Sequence, residues 1–422
     1  MKHIISFFHN LSNKKIALII LCTGLLIYGN SLFNGFVGDD FQQIINNPLV
    51  HDVFKIPTLF TQGAYYDESG QLNNYYKPIL STTFSLNYLF SGENPFGYHL
   101  TQLLLHIINT IIIFLLLKYF FKKEVSFFLA ILFLLHPINT EAVVYISAIQ
   151  ENLFMFFGLV SLYLTISKST WTYSNVFIPI LLLFSLLAKE TGVVFLIIIP
   201  VFNFLYQKRN LSKSFIHSII AALFYLFLRL VVAHIYFTTG DKVAPMQTLP
   251  FVTRINTIPD IIFFYLKTFF YPINLISFQA WTVKLLNFNN FYGPLIVDIM
   301  FFATLISAGI IIYRKNRQLF RIFIFFLVWF LIGLIVHLQI VPLDETVADR
   351  WFYFPIIGML GMMGAMVVFF NFKNRIKLQI LVPVFCIIII LFSIKIVVRN
   401  MDWSNQTLLY SRDSIFNKRY YS

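Results

Sequence analysis

Lys14-Lys15 followed by Ile16-Ala17-Leu18-Ile19-Ile20-Leu21-Cys22-Thr23-Gly24-Leu25-Leu26-Ile27-Tyr28-Gly29-Asn30-Ser31-Leu32-Phe33 sets the class of this chain. An apolar run of this kind spans a bilayer, for which about 20 residues suffice. It is long for the apolar core of a cleaved leader, and no small-x-small cleavage site follows it. It is read as an uncleaved first span. Lys2, Lys14 and Lys15 precede it, which places the N-terminus in the cytoplasm.

The composition agrees with that reading. Of the 422 residues, 58% are apolar and only 12% are charged, against roughly 25% charged in a soluble domain. A soluble globular enzyme and a disordered or fibrous chain are excluded, and there is room for roughly a dozen helical crossings. The formal net charge is +13, which on a soluble protein would point to nucleic acid. Here the basic residues cluster in short loops between apolar runs. No aromatic-basic module accompanies them, so no nucleic-acid partner is expected. Cys22 and Cys386 lie inside apolar runs and read as small lipid- or core-facing residues.

Further spans are expected at about 99–120, 125–139, 143–167, 174–189, 190–206, 214–237, 294–313, 320–341, 350–370 and 379–398. Basic loops then recur on the side of the N-terminus: Lys118, Lys122 and Lys123; Lys208, Arg209 and Lys213; Arg314, Lys315, Arg317 and Arg321; Lys373, Arg375 and Lys377. This is the positive-inside pattern. It yields eleven crossings, an all-α polytopic chain, and a C-terminus outside. The apolar run from Pro259 to Phe278 would break the register if it crossed. With Lys267 at its middle and Pro272 in its second half, it reads as an interfacial or re-entrant helix on the outer side.

In this topology every Asp and Glu except Glu124 falls on the outer side or near an outer helix end. Carboxylates contribute little to insertion topology, so the bias asks for another cause. A polar site gathered at one membrane face supplies it. Two outer segments are long, 34–98 and 238–293, and long loops are functional or disordered as a rule. Their aromatic content favours ordered loops lying on the membrane. No inverted repeat of the secondary-transporter kind is visible.

Several constellations carry chemistry. Asp39-Asp40 follows the first span at the outer surface, where one carboxylate can take a proton while the other orients a partner. A solvated pair or a helix cap would use the same residues. His136-Pro137-Ile138-Asn139-Thr140-Glu141 makes a polar turn suited to line a cavity, with Glu151 one helical segment on; His136 can equally be a packing residue. Lys189-Glu190-Thr191-Gly192 offers a cation for a phosphate or a helix-capping salt bridge. Asp349-Arg350-Trp351-Phe352-Tyr353 sets an arginine among aromatics at headgroup level, suited to a phosphate or to an aromatic belt. His99 and His106 share a helix face but stand about 10 Å apart along the axis, too far to share a metal. No zinc spacing, P-loop, GxGxxG or GxSxG is present.

Taken in order, these segments resemble the membrane domain of the transmembrane-and-tetratricopeptide O-mannosyltransferases and their bacterial relatives. These are GT-C glycosyltransferases that use polyprenyl-phosphate sugars. The resemblance runs along nearly the whole chain. It is carried by Gly38-Asp39-Asp40, Tyr76-Lys77-Pro78-Ile79-Leu80, Gly97-Tyr98-His99-Leu100 with Leu105-His106, His136-Pro137 with Thr140-Glu141-Ala142-Val143, and Ala188-Lys189-Glu190-Thr191-Gly192. Thr253-Arg254, Tyr271-Pro272-Ile273-Asn274-Leu275 and Asp349-Arg350-Trp351-Phe352-Tyr353-Phe354-Pro355 continue it.

The resemblance implies a GT-C fold and a multi-pass inner membrane enzyme of a bacterium with a periplasmic site. It implies Asp39 as the base on an acceptor hydroxyl of a protein or glycan, with Asp40 in support, and inversion at the sugar. Lys189, Arg254 and Arg350 match family basic positions and would hold the donor phosphate. Lys77, His99, His136, Glu141, Glu151 and Glu190 would line the cavity. The donor would be a polyprenyl-phosphate-linked, mannose-like sugar; no cofactor is required and no metal is obligatory in this branch. Ile149 stands where the family often has Arg, and Asp349 where it has Glu. Residues 1–398 would form the catalytic membrane domain, and 399–422 an outer tail where a repeat domain would begin. The competing reading is a transporter or flippase of lipid-linked saccharides.

Overall fold

A computed structural model describes residues 11–66, 75–167, 173–236, 245–370 and 375–416. Lys2, Lys373, residues 67–74 and 238–244 of the expected outer loops, and 417–422 of the expected tail lie outside the described residues.

Helix α1, Asn13–Tyr28, starts where the Ser12 hydroxyl accepts the Lys15 N–H at 3.3 Å, and it continues as a 3-10 turn over Gly29–Phe33. Helices α2 (Pro78–Ser91) and α3 (Pro95–Phe120) each open on a proline, whose missing N–H costs nothing in a first turn. Helix α4 (Lys123–Leu134) is followed by a 3-10 turn at Pro137–Asn139 and a short helix, Thr140–Val144, bent from α4 by 50°. Then come α5 (Ile149–Ile166), α6 (Ser174–Ala188), α7 (Val193–Tyr206) and α8 (Leu211–Leu226), which runs into a π-helical turn at Phe227–Val232. The remaining helices are α9 (Phe251–Phe270), α10 (Gly293–Lys315), α11 (Arg317–Ile335), α12 (Pro355–Phe369), α13 (Arg375–Asp402) and α14 (Gln406–Phe416). Among the described residues the only sheet-like pairing is a bridge between Gln279 and Val347. The chain is all-α.

The packing centre is the α3–α5–α6 group and the α11–α12 pair. Small residues let helices in a bilayer approach closely. A Cβ on Gly361 of α12 would meet the Phe326 ring of α11 at 2.1 Å. Trp329 stacks on Phe354 at 4.9 Å and donates its indole N–H to the Phe354 carbonyl at 3.0 Å.

Among the described residues seven helices are long and apolar enough to cross a membrane, or eight with the bent pair α4 and Pro137–Val144 counted as one span. The protein is therefore multi-pass. Helix occupies each expected crossing, but α6, Glu190–Tyr206 and α12 fall short of a full crossing by length, so the count of eleven does not follow from the structure.

Several boundaries differ from expectation. The span expected at 125–139 stops at Leu134, because Pro137 cannot continue it, and the one expected at 143–167 is split into Thr140–Val144 and α5 from Ile149. The span expected at 320–341 ends at Ile335. Gln339 adopts φ +58° there, and its side chain bonds the carbonyls of Glu345 and Thr346 and the N–H of Leu343, which ties Val336–Ala348 into an irregular loop. The span expected at 350–370 begins with a 3-10 turn, Asp349–Tyr353, before α12. The helix expected over 259–278 is α9, which starts at Phe251, takes Pro259 into its interior and stops before Tyr271-Pro272. It is not one of the helices apolar enough to cross. Cys22 and Cys386 are free and exposed.

Candidate active site

The loop after the first span carries two carboxylates with opposite fates. Gly38 turns the backbone at φ +56°, a conformation that L side chains rarely adopt. Asp40 is fully buried. Its carboxylate accepts the Val37 N–H at 2.8 Å, the Ser147 N–H at 2.8 Å and the Ser147 hydroxyl at 2.6 Å. Burial pushes this carboxyl up to about 7, although those hydrogen bonds pull it down. Asp39 is half-buried. Its backbone N–H donates to the Tyr145 hydroxyl at 2.9 Å, and its carboxylate meets the Tyr65 hydroxyl at 3.5 Å. Tyr410 and Glu345 also lie within electrostatic reach of it.

The cations around this carboxylate are mostly neutralised. Arg350 pairs with Glu141 through its guanidinium, donates its own backbone N–H to Glu141 at 2.9 Å, and reaches Glu345 at 2.8 Å. Burial opposes the guanidinium charge, but Glu141 and Glu345 outweigh it and hold Arg350 protonated. Burial raises Glu345 to about 7 against the pull of Arg350. The Arg350 guanidinium lies 5.9 Å from the Tyr145 and Trp351 ring centres. Lys189 leaves α6 in an extended conformation and forms an ion pair with Glu151, which projects from the first turn of α5. Glu190 pairs with Arg229 at 3.0 Å, in the π-helical turn after α8.

Lys77 differs. It is 6% exposed and has no carboxylate partner among the described residues. Its ammonium lies 4.8 Å from the Tyr75 ring centre and 5.6 Å from that of Tyr65. Burial lowers its pKa, with Glu190 working against that and Lys189 adding to it. Tyr65 thus meets the Asp39 carboxylate through its hydroxyl and the Lys77 ammonium through its ring. Tyr75 also donates its hydroxyl to Asp344 on the Val336–Ala348 loop. His337 of the same loop stacks on Trp351 at 5.1 Å. Burial and then Lys189 push it down to about 3.

The other expected residues are engaged elsewhere. Arg254 donates to the carbonyls of Gln339 at 2.8 Å and Ile340 at 2.9 Å, so it clasps the Val336–Ala348 loop. His99 contacts the Asn34 carbonyl at 3.1 Å. His136 contacts the Phe269 carbonyl at 3.0 Å and lies flat on the Phe269 ring. His106 contacts the Tyr353 hydroxyl at 2.8 Å and the Leu134 carbonyl at 3.2 Å. Asp349 is buried, and burial followed by the nearby Glu141 raises its carboxyl.

Sequence reasoning did not single out Tyr65, Tyr145, Ser147, Glu345 or His337. Tyr65 precedes Tyr75 and Lys77 in one loop, which is a signal in hindsight; the others carry none. Among the described residues no group of three or more His, Cys, Asp or Glu is placed to hold a metal.

No family model matches the chain. It is 29% identical over 221 residues to protein O-mannosyl-transferase F38B6.6 of Caenorhabditis elegans, across 51% of this chain and 31% of that protein. It is 34% identical over 182 residues to protein O-mannosyl-transferase TMTC3 of Mus musculus, across 42% of this chain and 20% of that protein. The human TMTC3 is 33% identical over 187 residues, across 43% and 20%. The matched region is thus under a third of the length of these relatives. Among solved structures, ArnT of Cupriavidus metallidurans, crystallised with undecaprenyl phosphate, overlaps 83% of this chain and 59% of its own. The TM-score is 0.48 at 12% identity, too loose to align side chains. The chain is a multi-pass membrane protein whose sequence is similar to these protein O-mannosyl-transferases over about half of its length or less.

Proposed function

We propose that the protein is an inverting GT-C glycosyltransferase. It moves a mannose-like sugar from a polyprenyl-phosphate donor to an acceptor hydroxyl on the outer face of a bacterial inner membrane. One observation carries the reading: the Asp39 carboxylate meets the Tyr65 hydroxyl, and the Lys77 ammonium, which has no carboxylate partner among the described residues, meets the ring of the same tyrosine. A base and a phosphate-binding cation that share one tyrosine suit a sugar-sized reacting centre.

Asp39 accepts the proton of the acceptor hydroxyl. The oxygen attacks the anomeric carbon from the face opposite the lipid phosphate, and the carbon–oxygen bond to that phosphate breaks. Polyprenyl phosphate leaves with the bonding pair and needs no added acid. Lys77 faces the charge that develops on it, and the paired Lys189 and Arg350 set the field behind. Arg254, donating to the carbonyls of Gln339 and Ile340, holds the loop of residues 336–348 beside the site. The names of the sequence relatives support mannose as the sugar and a protein hydroxyl as the acceptor.

The test uses the purified full chain in detergent with a polyprenyl-phosphate mannose and a Ser/Thr-containing peptide. The expected result is release of polyprenyl phosphate with mannose on the peptide. No transfer in detergent, together with lipid-saccharide movement across liposomes, would replace this reading with transport.

A further inference from the structure

Residues 399–422 were expected to form a tail, yet the last turn of α13 and the residues after it are bonded to the loop that carries Asp39. The Gly35 N–H donates to the Ser404 carbonyl at 2.9 Å, and the Asn34 side chain donates to the Asn400 carbonyl at 2.8 Å. Trp403 is 1% exposed, and its ring stacks on Tyr145 at 5.2 Å. The Tyr145 hydroxyl accepts the backbone N–H of Asp39 itself. A Cβ on Gly38 would sit 3.0 Å from that hydroxyl, so the turn is built tightly against it.

The segment is fixed from its far side as well. Arg399 lies 5.7 Å from the Trp403 ring centre and pairs with Asp402 at 3.2 Å and Asp413 at 3.1 Å. Asp413 of α14 accepts the N–H and hydroxyl of Ser277 from the second outer loop. The neighbouring Phe278 packs edge-on against both Tyr145 and Tyr410. The contacts thus form a closed circuit through the first loop, Tyr145, the C-terminal segment and the second loop. Plain core packing would bury Trp403 without directing hydrogen bonds at the loop's backbone.

We propose that residues 399–413 are a brace for the candidate base, with Tyr145 as the positioning residue and Trp403 as its support. Tyr145 fixes the amide of Asp39, and the amide fixes where the carboxylate points. The proposal rests on the reading of Asp39 as the base, because only then does its orientation set a rate.

The experiment compares Tyr145→Phe, Trp403→Ala and Trp403→Phe in the full chain. It reads kcat, the donor KM, and hydrogen exchange over residues 35–41. Tyr145→Phe keeps the ring and removes the acceptor; kcat is expected to fall about tenfold with KM unchanged, the size of one lost hydrogen bond. Trp403→Ala is expected to speed amide exchange in the loop about tenfold or more and to lower kcat further, with Trp403→Phe restoring most of both. An unchanged kcat in Tyr145→Phe overturns the proposal, and so does unchanged exchange in a folded Trp403→Ala. Full activity in Asp39→Asn overturns the base assignment instead, and the exchange readout then decides the brace alone.

Discussion

Lys77 and Lys189 are buried to nearly the same degree, 6% and 9% exposed, at two turns close enough to feel each other's charge. Lys189 extends from the end of α6 into an ion pair with Glu151. Lys77 precedes the first proline of α2 and, with no carboxylate partner among the described residues, meets the rings of Tyr65 and Tyr75. The first charge is spent inside the protein, while the second is desolvated and, in the proposed function, receives the donor phosphate. The same division separates Asp40, which three donors satisfy, from Asp39, which stays open. In both regions one member of a like-charged pair is bound into the structure, and the proposed function gives the other to the substrate.

Lys189→Met breaks the comparison hardest. It leaves Glu151 as a buried, uncompensated charge, at a cost of about 3–5 kcal/mol, seen as a lower unfolding midpoint in detergent. Lys189→Met with Glu151→Gln should recover most of that loss; if the single variant is as stable as wild type, Lys189 is no structural cation. Lys77→Met should reverse the pattern. Stability holds or rises, because an unpaired buried charge is removed, while kcat/KM for the donor falls about 100-fold. A loss under about threefold would return the phosphate to Lys189 and Arg350.

Gly38→Ala sharpens the carboxylate half. It forces a Cβ into a positive-φ turn against Tyr145 and Phe278, and about 1–2 kcal/mol of strain should lower kcat without changing donor KM. An intact kcat would show that the loop adapts. The mildest effect is on pH. The Asp40 carboxyl rises on folding to about 7 from the ordinary range near 4, so the folded state binds the extra proton. Its contribution is fully present below about pH 4 and is lost as pH rises through about 7. The midpoint of wild type should therefore fall relative to Asp40→Asn between pH 5 and pH 8; parallel curves would refute it.

The crossings were legible because apolar runs and basic loops are one-dimensional signals: Ile16 to Phe33 and Lys122-Lys123 need no partner to be read. The end of α11 was not. Ile335-Val336-His337-Leu338-Gln339-Ile340-Val341 stays apolar past the helix, and the stop is made by Gln339 bonding residues further along. The cluster of Asp39, Lys77, Glu141, Lys189 and Arg350 was expected as a set, but their division into paired and open groups was not. That division depends on contacts such as Glu141 with Arg350, made across the fold by helices distant in sequence. Likewise, nothing in Trp403 or Tyr145 as residue types announces that they meet beneath Asp39.

The central claim is that Asp39 removes the acceptor proton during sugar transfer. Single-turnover transfer from polyprenyl-phosphate mannose, measured with wild type and Asp39→Asn at equal folded protein, tests it most directly. The variant is expected to bind donor as wild type does and to lose transfer by about a thousandfold or more. Transfer by Asp39→Asn at the wild-type rate would contradict it.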